Sequence, residues 1–178
     1  MRLPYLILFL LITLITLIPS TLIAEQITTP KTPKISWLKR NFGILSYEEM
    51  LQVTKSPQDI CSEVKAHIVY KLDLLDVKKE PKQTWNDKYG DCEDFAQLIQ
   101  SICEMKNIPS NIYVFYEKNN MIAHAVVIGN NWMASNGQYQ SIKSLDDASW
   151  KIARSLKWNK TVNYKTWNEW EKQSLHHI

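Results

Sequence analysis

The sequence predicts an α+β domain in which one buried helix packs on a small antiparallel sheet. Three features point to it. Residues 91–106 (DCEDFAQLIQSICEMK) place Phe95, Leu98, Ile99, Ile102 and Met105 on one helical face. Residues 111–116, 121–128 and 132–135 are then rich in β-branched and aromatic side chains. Between them stand turn formers, Lys118-Asn119-Asn120 and Gly129-Asn130-Asn131, so the order reads helix, strand, hairpin, strand.

Upstream elements follow from their start signals. Ser46 and Glu49 have capping-box spacing and open a short helix through Val53. Ser56 can cap a second helix with Pro57 in its first position, and Ile60, Val64, His67, Ile68 and Leu72 continue its apolar spacing. Residues 77–84 (VKKEPKQT) read as a charged loop. The 91–106 helix ends at Asn107-Ile108-Pro109, because a residue before proline is driven away from helical geometry. Beyond the strands, residues 144–156 read as a helix, and Trp167, Trp170 and Leu175 suggest a short one at the end. No internal repeat appears.

The 178 residues suffice for one domain core and are few for two. With 45% hydrophobic and 22% charged residues, the composition excludes a disordered chain. A net charge of +3, from 21 basic and 18 acidic residues, excludes a strongly cationic nucleic-acid or membrane-surface binder. The apolar residues are unevenly placed. Arg2 precedes an almost wholly apolar run over 5–18, Pro19-Ser20-Thr21 breaks it, and Ala24 meets the polar Glu25-Gln26. This pattern is an export signal ending at Ala24, or an N-terminal membrane anchor over residues 5–23. In both cases the body is exported, to the periplasm or beyond. The expected organisation is signal or anchor at 1–24, flexible lead-in at 25–34, and one domain at 35–178. Its core spans about 57–139, with a helical extension at 144–178.

Chemistry concentrates around Cys92, in the first turn of the 91–106 helix. Backbone N–H groups there lack intrahelical partners and the helix dipole adds positive charge, so a thiol loses its proton more readily. Gly90 lets the backbone turn sharply toward a substrate, and the free N–H groups could hold an oxyanion. Glu93 and Asp94 oppose a thiolate, so a cation must help. His124 is the candidate, set between the small Ala123 and Ala125; His67 lies in the earlier helix and His176 and His177 at the end. With Cys92 it would form a thiolate–imidazolium pair and protonate a leaving amine. A hairpin turning near Asn130 places Asn136 almost opposite His124, where its amide oxygen could orient the ring. Asn136-Gly137 is equally a turn pair. Trp85 could donate its indole N–H to the oxyanion or belong to the core. Asp94 suits a cap or anchor for the helix start.

The run Gly90-Asp91-Cys92-Glu93-Asp94-Phe95-Ala96, followed by a strand histidine and a polar residue one strand later, resembles the transglutaminase-like superfamily. The bacterial transglutaminase-like cysteine peptidases and their small exported relatives are the nearest type. The resemblance covers about residues 57–139. It implies a papain-like, transglutaminase-core α+β fold with the nucleophile on the helix and its partners on the sheet. It also implies acyl transfer through a thioester, hydrolysing an amide bond or moving a glutamine acyl group to an amine, with hydrolysis favoured. Cys92 and His124 match the family pattern; the third position departs, since aspartate is usual where Asn136, or Ser135 one residue earlier, stands. A non-catalytic, peptide-binding member of the same fold is the other class. Some exported relatives bind calcium near the site, which makes Asp91, Glu93 and Asp94 the candidate ligands; no other cofactor is implied. The expected partner is a protein or peptide substrate met by a monomer, without nucleic acid and with membrane contact only through residues 5–23.

Three cysteines in an exported chain suggest one pair and one remainder. With Cys92 unpaired, Cys61 and Cys103 either form a disulfide or stay a buried free pair. The tryptophans at 150, 158, 167 and 170 read as packing residues rather than a carbohydrate platform.

Overall fold

The computed structural model describes residues 35, 39, 45–73, 78–117, 122–158 and 162–174. Met1–Ile35 and Ser36–Ile178 form separate units, and the helices and strands named in this section all belong to the second. The signal or anchor, the whole lead-in, the Lys118-Asn119-Asn120 turn, Leu175, His176 and His177 lie outside the described residues. Among those described, no helix is long and apolar enough to cross a membrane.

Helices α1 (Tyr47–Val53) and α2 (Pro57–His67) start as their caps dictate. Ser46 and Ser56 each accept a backbone N–H from the residue three positions on, and Glu49 and Asp59 return the bond through their carboxylates. Helix α2 stops sooner than its apolar spacing suggests. Ile68 is already extended and Leu72 lies beyond the helix, 61% exposed. The β-branched pair Ile68-Val69 leads instead into β1 (Val69–Tyr70), which pairs in parallel with β2 (Tyr89–Gly90).

The stretch read as a charged loop contains a helix, α3 (Pro81–Asp87). Pro81 pre-sets the first helical φ, and burial of Thr84 and Trp85 holds the turn against the core. Its apolar anchor, Trp85, comes after the charged residues, so local composition hid it.

Helix α4 (Cys92–Met105) is the centre of the unit. Phe95, Leu98, Ile99 and Ile102 are buried as expected, joined by Ala96 and Cys103, whereas Met105 is half exposed. The helix ends before Pro109 is reached. Asn107 takes a left-handed φ of 54°, the Ile108 N–H bonds the Cys103 carbonyl at 2.8 Å, and the Asn107 N–H bonds Glu104 at 3.0 Å. This paired closure satisfies two of the terminal carbonyls.

The sheet has five strands rather than three: β3 (Ser110–Tyr116), β4 (Ala123–Gly129), β5 (Trp132–Ser135), β6 (Gln138–Ser141) and β7 (Asn163–Thr166). Their order is β6-β5-β4-β3-β7, every neighbour antiparallel. The added strands, QYQS and NYKT, carry no apolar alternation that would mark them. Strand β6 exists because Asn136 and Gly137 both have positive φ, giving a two-residue hairpin turn whose twist matches its strands. Helix α5 (Leu145–Ser155), capped by Ser144, covers one face through Ala148 and Ile152, against Phe115, Val126, Ile128 and Met133. Helix α4 packs on β3, β4 and β5, where Ile112, Val114, Ala125, Val127 and Ala134 alternate to the opposite face. A short helix, α6 (Trp167–Ser174), follows β7. All three cysteines are free thiols, with Cys61 on α2 and Cys103 on α4 both buried.

Gly129 closes β4 against Trp132 across the Asn130-Asn131 turn, and a Cβ there would stand 2.3 Å from the indole ring. Gly129→Ala is therefore expected to cost about 1–3 kcal/mol by forcing the buried ring aside. The check is urea unfolding, which should show a lower midpoint at unchanged slope.

Candidate active site

The start of α4 is a closed hydrogen-bond circuit built from the Gly-Asp-Cys-Glu-Asp run. Asp91 is the N-cap, and its Oδ1 accepts from the Glu93 N–H at 3.0 Å and the Asp94 N–H at 3.2 Å. The Asp94 Oδ2 returns the bond to the Asp91 N–H at 3.2 Å. Gly90 is buried directly against this carboxyl, since a Cβ there would meet the Asp94 Cβ at 2.6 Å. The glycine thus makes room for Asp94, and its φ is not in the left-handed region. The circuit also changes the expected oxyanion site. Asp91 occupies the second and third amides of the helix, leaving Cys92 as the member of the first three that it does not cap.

Cys92 is the first residue of α4 and is partly buried. Burial pushes its thiol up from the ordinary range, and the Asp91 and Glu93 charges add to this. Two backbone N–H groups oppose the rise by favouring the thiolate: that of Ala125 on β4, and its own. The sulfur therefore lies at β4, beside the residue that follows His124. Asp94 is paired elsewhere. The Lys79 Nζ lies 3.2 Å from the Asp94 Oδ2 with both side chains buried, and neutralises that charge. Lys79 also donates to the Tyr89 carbonyl at 3.3 Å and sits 4.1 Å over the Tyr89 ring. Burial raises the Asp94 carboxyl above the usual range, and the Lys79 ammonium pulls it back.

His124 is buried, with 5% of its surface exposed, and its Nε2 lies 2.8 Å from the Ser135 Oγ. Sheet alternation explains why Ser135, and not Asn136, meets it. The β4–β5 register pairs Val127 with Ala134, which puts Ser135 on the same face as Val126 and His124. Asn136 falls one residue later, in the turn, with φ 46° and its Oδ1 buried without a partner. Burial alone lowers the His124 ring from 6.5 to about 4. With Cys92 pushed up and His124 pushed down, the resting pair is neutral thiol and neutral imidazole rather than the expected ion pair. No hydrogen bond joins them in the resting chain: strand alternation turns the His124 ring to the face of Phe115 and Val126, which α5 covers, while α4 packs on the face of Ala125.

The remaining candidates fall elsewhere. Trp85 is 1% exposed, its indole N–H donates to the Leu45 carbonyl at 3.1 Å, and its ring stacks on His67 at 3.9 Å. Its donor is committed to the core and is not offered to an oxyanion. Asp91, Glu93 and Asp94 do not fit a calcium ion. Among the described residues no three His, Cys, Asp or Glu side chains form a metal-holding group, and a cation at Asp94 would have to displace the Lys79 ammonium. Two neighbours were not singled out from sequence. Lys79 is one of several lysines in a charged run, and nothing local marks it as the buried one. Tyr70 reaches the site through the parallel β1–β2 pairing, where it lies in register with Gly90.

The lowered His124 ring makes stability depend on pH. Unfolded, the ring binds a proton below 6.5; folded, it stays neutral down to about 4. Stability therefore falls as pH drops from 6.5 to about 4, by on the order of 3 kcal/mol in all. His124→Gln should flatten this segment of the pH profile, measured by urea unfolding at pH 7 and 4.5. An identical profile in both proteins would show that the ring is not held neutral.

The family model of the transglutaminase-like superfamily matches residues 47–169, the stretch from the start of α1 into α6. No curated protein matches the chain. Among solved structures, a candidate cysteine protease from Cytophaga hutchinsonii is similar at 14% identity with a TM-score of 0.40. The match covers 70% of this chain and 46% of that one, so the chain spans under half the length of that structure. On the family match, which takes in well over half its residues and the whole of the α4-on-sheet core, the chain belongs to the transglutaminase-like superfamily.

Proposed function

We propose that the chain is an exported thiol-dependent amide hydrolase, a cysteine peptidase with Cys92 as nucleophile, His124 as general base and acid, and Ser135 orienting the His124 ring. One observation carries this reading. The start of α4 meets β4 so that the Cys92 sulfur faces the Ala125 N–H, and the preceding residue is a buried histidine whose far nitrogen is held by Ser135. In the tautomer this route uses, Nε2–H donates to the Ser135 Oγ 2.8 Å away, which leaves Nδ1 with its lone pair available. The Cys92 sulfur attacks the amide carbonyl carbon while its proton passes to Nδ1, a transfer that requires the ring to turn past the start of β4 from the α5 face. The oxyanion forms beside the uncapped Cys92 N–H, where a helix start favours negative charge. His124 then gives the proton to the amide nitrogen, the C–N bond breaks, and a thioester remains. Water attacks this thioester with Nδ1 again taking the proton, releasing a carboxylic acid and restoring the thiol. The neutral resting pair suits such a route, because proton transfer accompanies attack instead of preceding it.

The Gly90–Ala96 run, like that of exported bacterial peptidases, supports water rather than an amine as the acceptor, and the apolar start of the chain supports export. Serine in place of a carboxylate lends weight to a second reading, a peptide-binding member without turnover, because a hydroxyl stabilises an imidazolium less than a carboxylate does.

Acylation by p-nitrophenyl acetate tests the reading without a known substrate. The intact chain should release p-nitrophenolate in a burst and carry one acetyl group on Cys92, seen by mass spectrometry; Cys92→Ala should do neither. His124→Ala should acylate about 10²–10⁴-fold more slowly. Equal rates in wild type and His124→Ala would leave the peptide-binding reading in its place. Adding methylamine separates the acceptors, since hydrolysis yields acetate and transfer yields N-methylacetamide.

Ser135→Asp supplies the missing carboxylate. It should move the His124 midpoint up by about 1–3 pH units, read from the ring resonances, and speed acylation. Ser135→Ala should slow it more than Asn136→Ala does.

A further inference from the structure

The ladder beside the nucleophile turn is unusually bare. Val69 is 68% exposed, Leu72 61%, Tyr70 48% and Tyr89 38%, four of the ten large hydrophobic residues that the described structure leaves exposed. All four stand on β1, β2 or the residues just after β1. Such a concentration beside a reactive thiol marks a contact surface rather than scattered exposure. Ile122, just before β4, is 53% exposed as well.

The backbone of β1 is half used. The Val69 N–H bonds the Lys88 carbonyl at 2.9 Å and the Lys71 N–H bonds the Gly90 carbonyl at 2.8 Å, so both turn toward β2. Backbone groups alternate along a strand, so the N–H and C=O of Tyr70 turn to the opposite edge. Among the described residues no strand pairs there. Tyr70 is in register with Gly90, two residues before Cys92. Its phenol is close enough for the Cys92 and Asp91 charges to reinforce the rise that burial gives it. The neighbouring Tyr89 ring is held from two directions, by Lys71 at 4.6 Å and Lys79 at 4.1 Å. An edge this short, with Lys71 next to it, is a poor template for self-association.

We propose that the outer edge of β1 receives an extended stretch of substrate polypeptide as a third strand, with apolar side chains of that stretch lying on Val69, Tyr70, Leu72 and Tyr89. The inference rests on Cys92 as the nucleophile and deepens that reading. Main-chain pairing at Tyr70 holds the peptide independently of its sequence, and the four side chains select for aliphatic or aromatic residues over acidic ones. The occupant is the substrate chain because the edge adjoins the thiol that must reach its amide. A folded segment cannot add as a strand, so the substrate is unfolded or extended where it is cut.

Peptidyl chloromethyl ketones test the proposal, since the Cys92 sulfur displaces chloride from any of them once they are docked. Labelling of Cys92 in the full-length chain is followed by mass spectrometry at pH 8.5 and expressed relative to labelling by iodoacetamide. Peptides with Leu or Phe beside the reactive carbon should give a ratio about tenfold or more above their Glu counterparts. N-methylation of the peptide amide that would pair with Tyr70 should lower the ratio by a similar factor, and it needs no protein variant. Tyr70→Ser with Leu72→Ser should shrink the Leu-over-Glu preference to near parity. Equal ratios for Leu, Glu and N-methylated peptides, with iodoacetamide still labelling Cys92, overturn the docking edge and leave the nucleophile standing. Failure of both reagents at Cys92 overturns the nucleophile and the edge together.

Discussion

The reciprocal cap at the start of α4 is the interaction on which the rest of the site depends. Asp91 and Asp94 exchange bonds across the first turn, Gly90 leaves space for the second carboxyl, and Lys79 neutralises it. Removing one partner of a buried ion pair costs about 3–5 kcal/mol because the other charge is left without compensation. That cost keeps the circuit closed, and the circuit fixes Cys92 in the first helical position. It also eases an electrostatic conflict. An uncompensated Asp94 would oppose any negative charge on sulfur, and the Lys79 ammonium 3.2 Å from its carboxyl offsets that charge, while Asp91 and Glu93 still act against the thiolate.

A second constraint comes from the sheet. The helix brings the thiol to β4, but side-chain alternation on β4 and β5 decides which groups meet the imidazole. A serine that shares the face of His124 holds its Nε2, while the amide one residue on turns into the hairpin and cannot. Burial then sets the protonation of both partners toward neutral. On the proposed reading, a site so arranged would move a proton during attack and hold the oxyanion at the amide of Cys92 itself.

Much of this was legible from local chemistry. Ser46 and Ser56 mark two helix starts because a cap is a contact between residues three apart, and the same contact made by Asp91 and Ser144 starts two more. The buried stripe of α4 and strands β3 to β5 follow from apolar spacing and turn residues. Cys92 and His124 stand out by residue type and setting. The misses have one physical origin. Strands β6 and β7 are polar, and α3 is anchored by a tryptophan at its far end, so long-range burial and pairing make these elements without a local signature.

The sequence by itself determined the α+β class and the buried stripe of α4, and it singled out Cys92 and His124, since each rests on spacing or residue type along one segment. Only the tertiary structure decided which of several lysines is buried against Asp94, that Ser135 rather than Asn136 holds the ring, that Trp85 is committed to the core, and that Tyr70 stands beside the turn that precedes Cys92. Each of those contacts joins segments whose registry depends on how the sheet and helices pack, and a one-residue shift in that packing would exchange the partners.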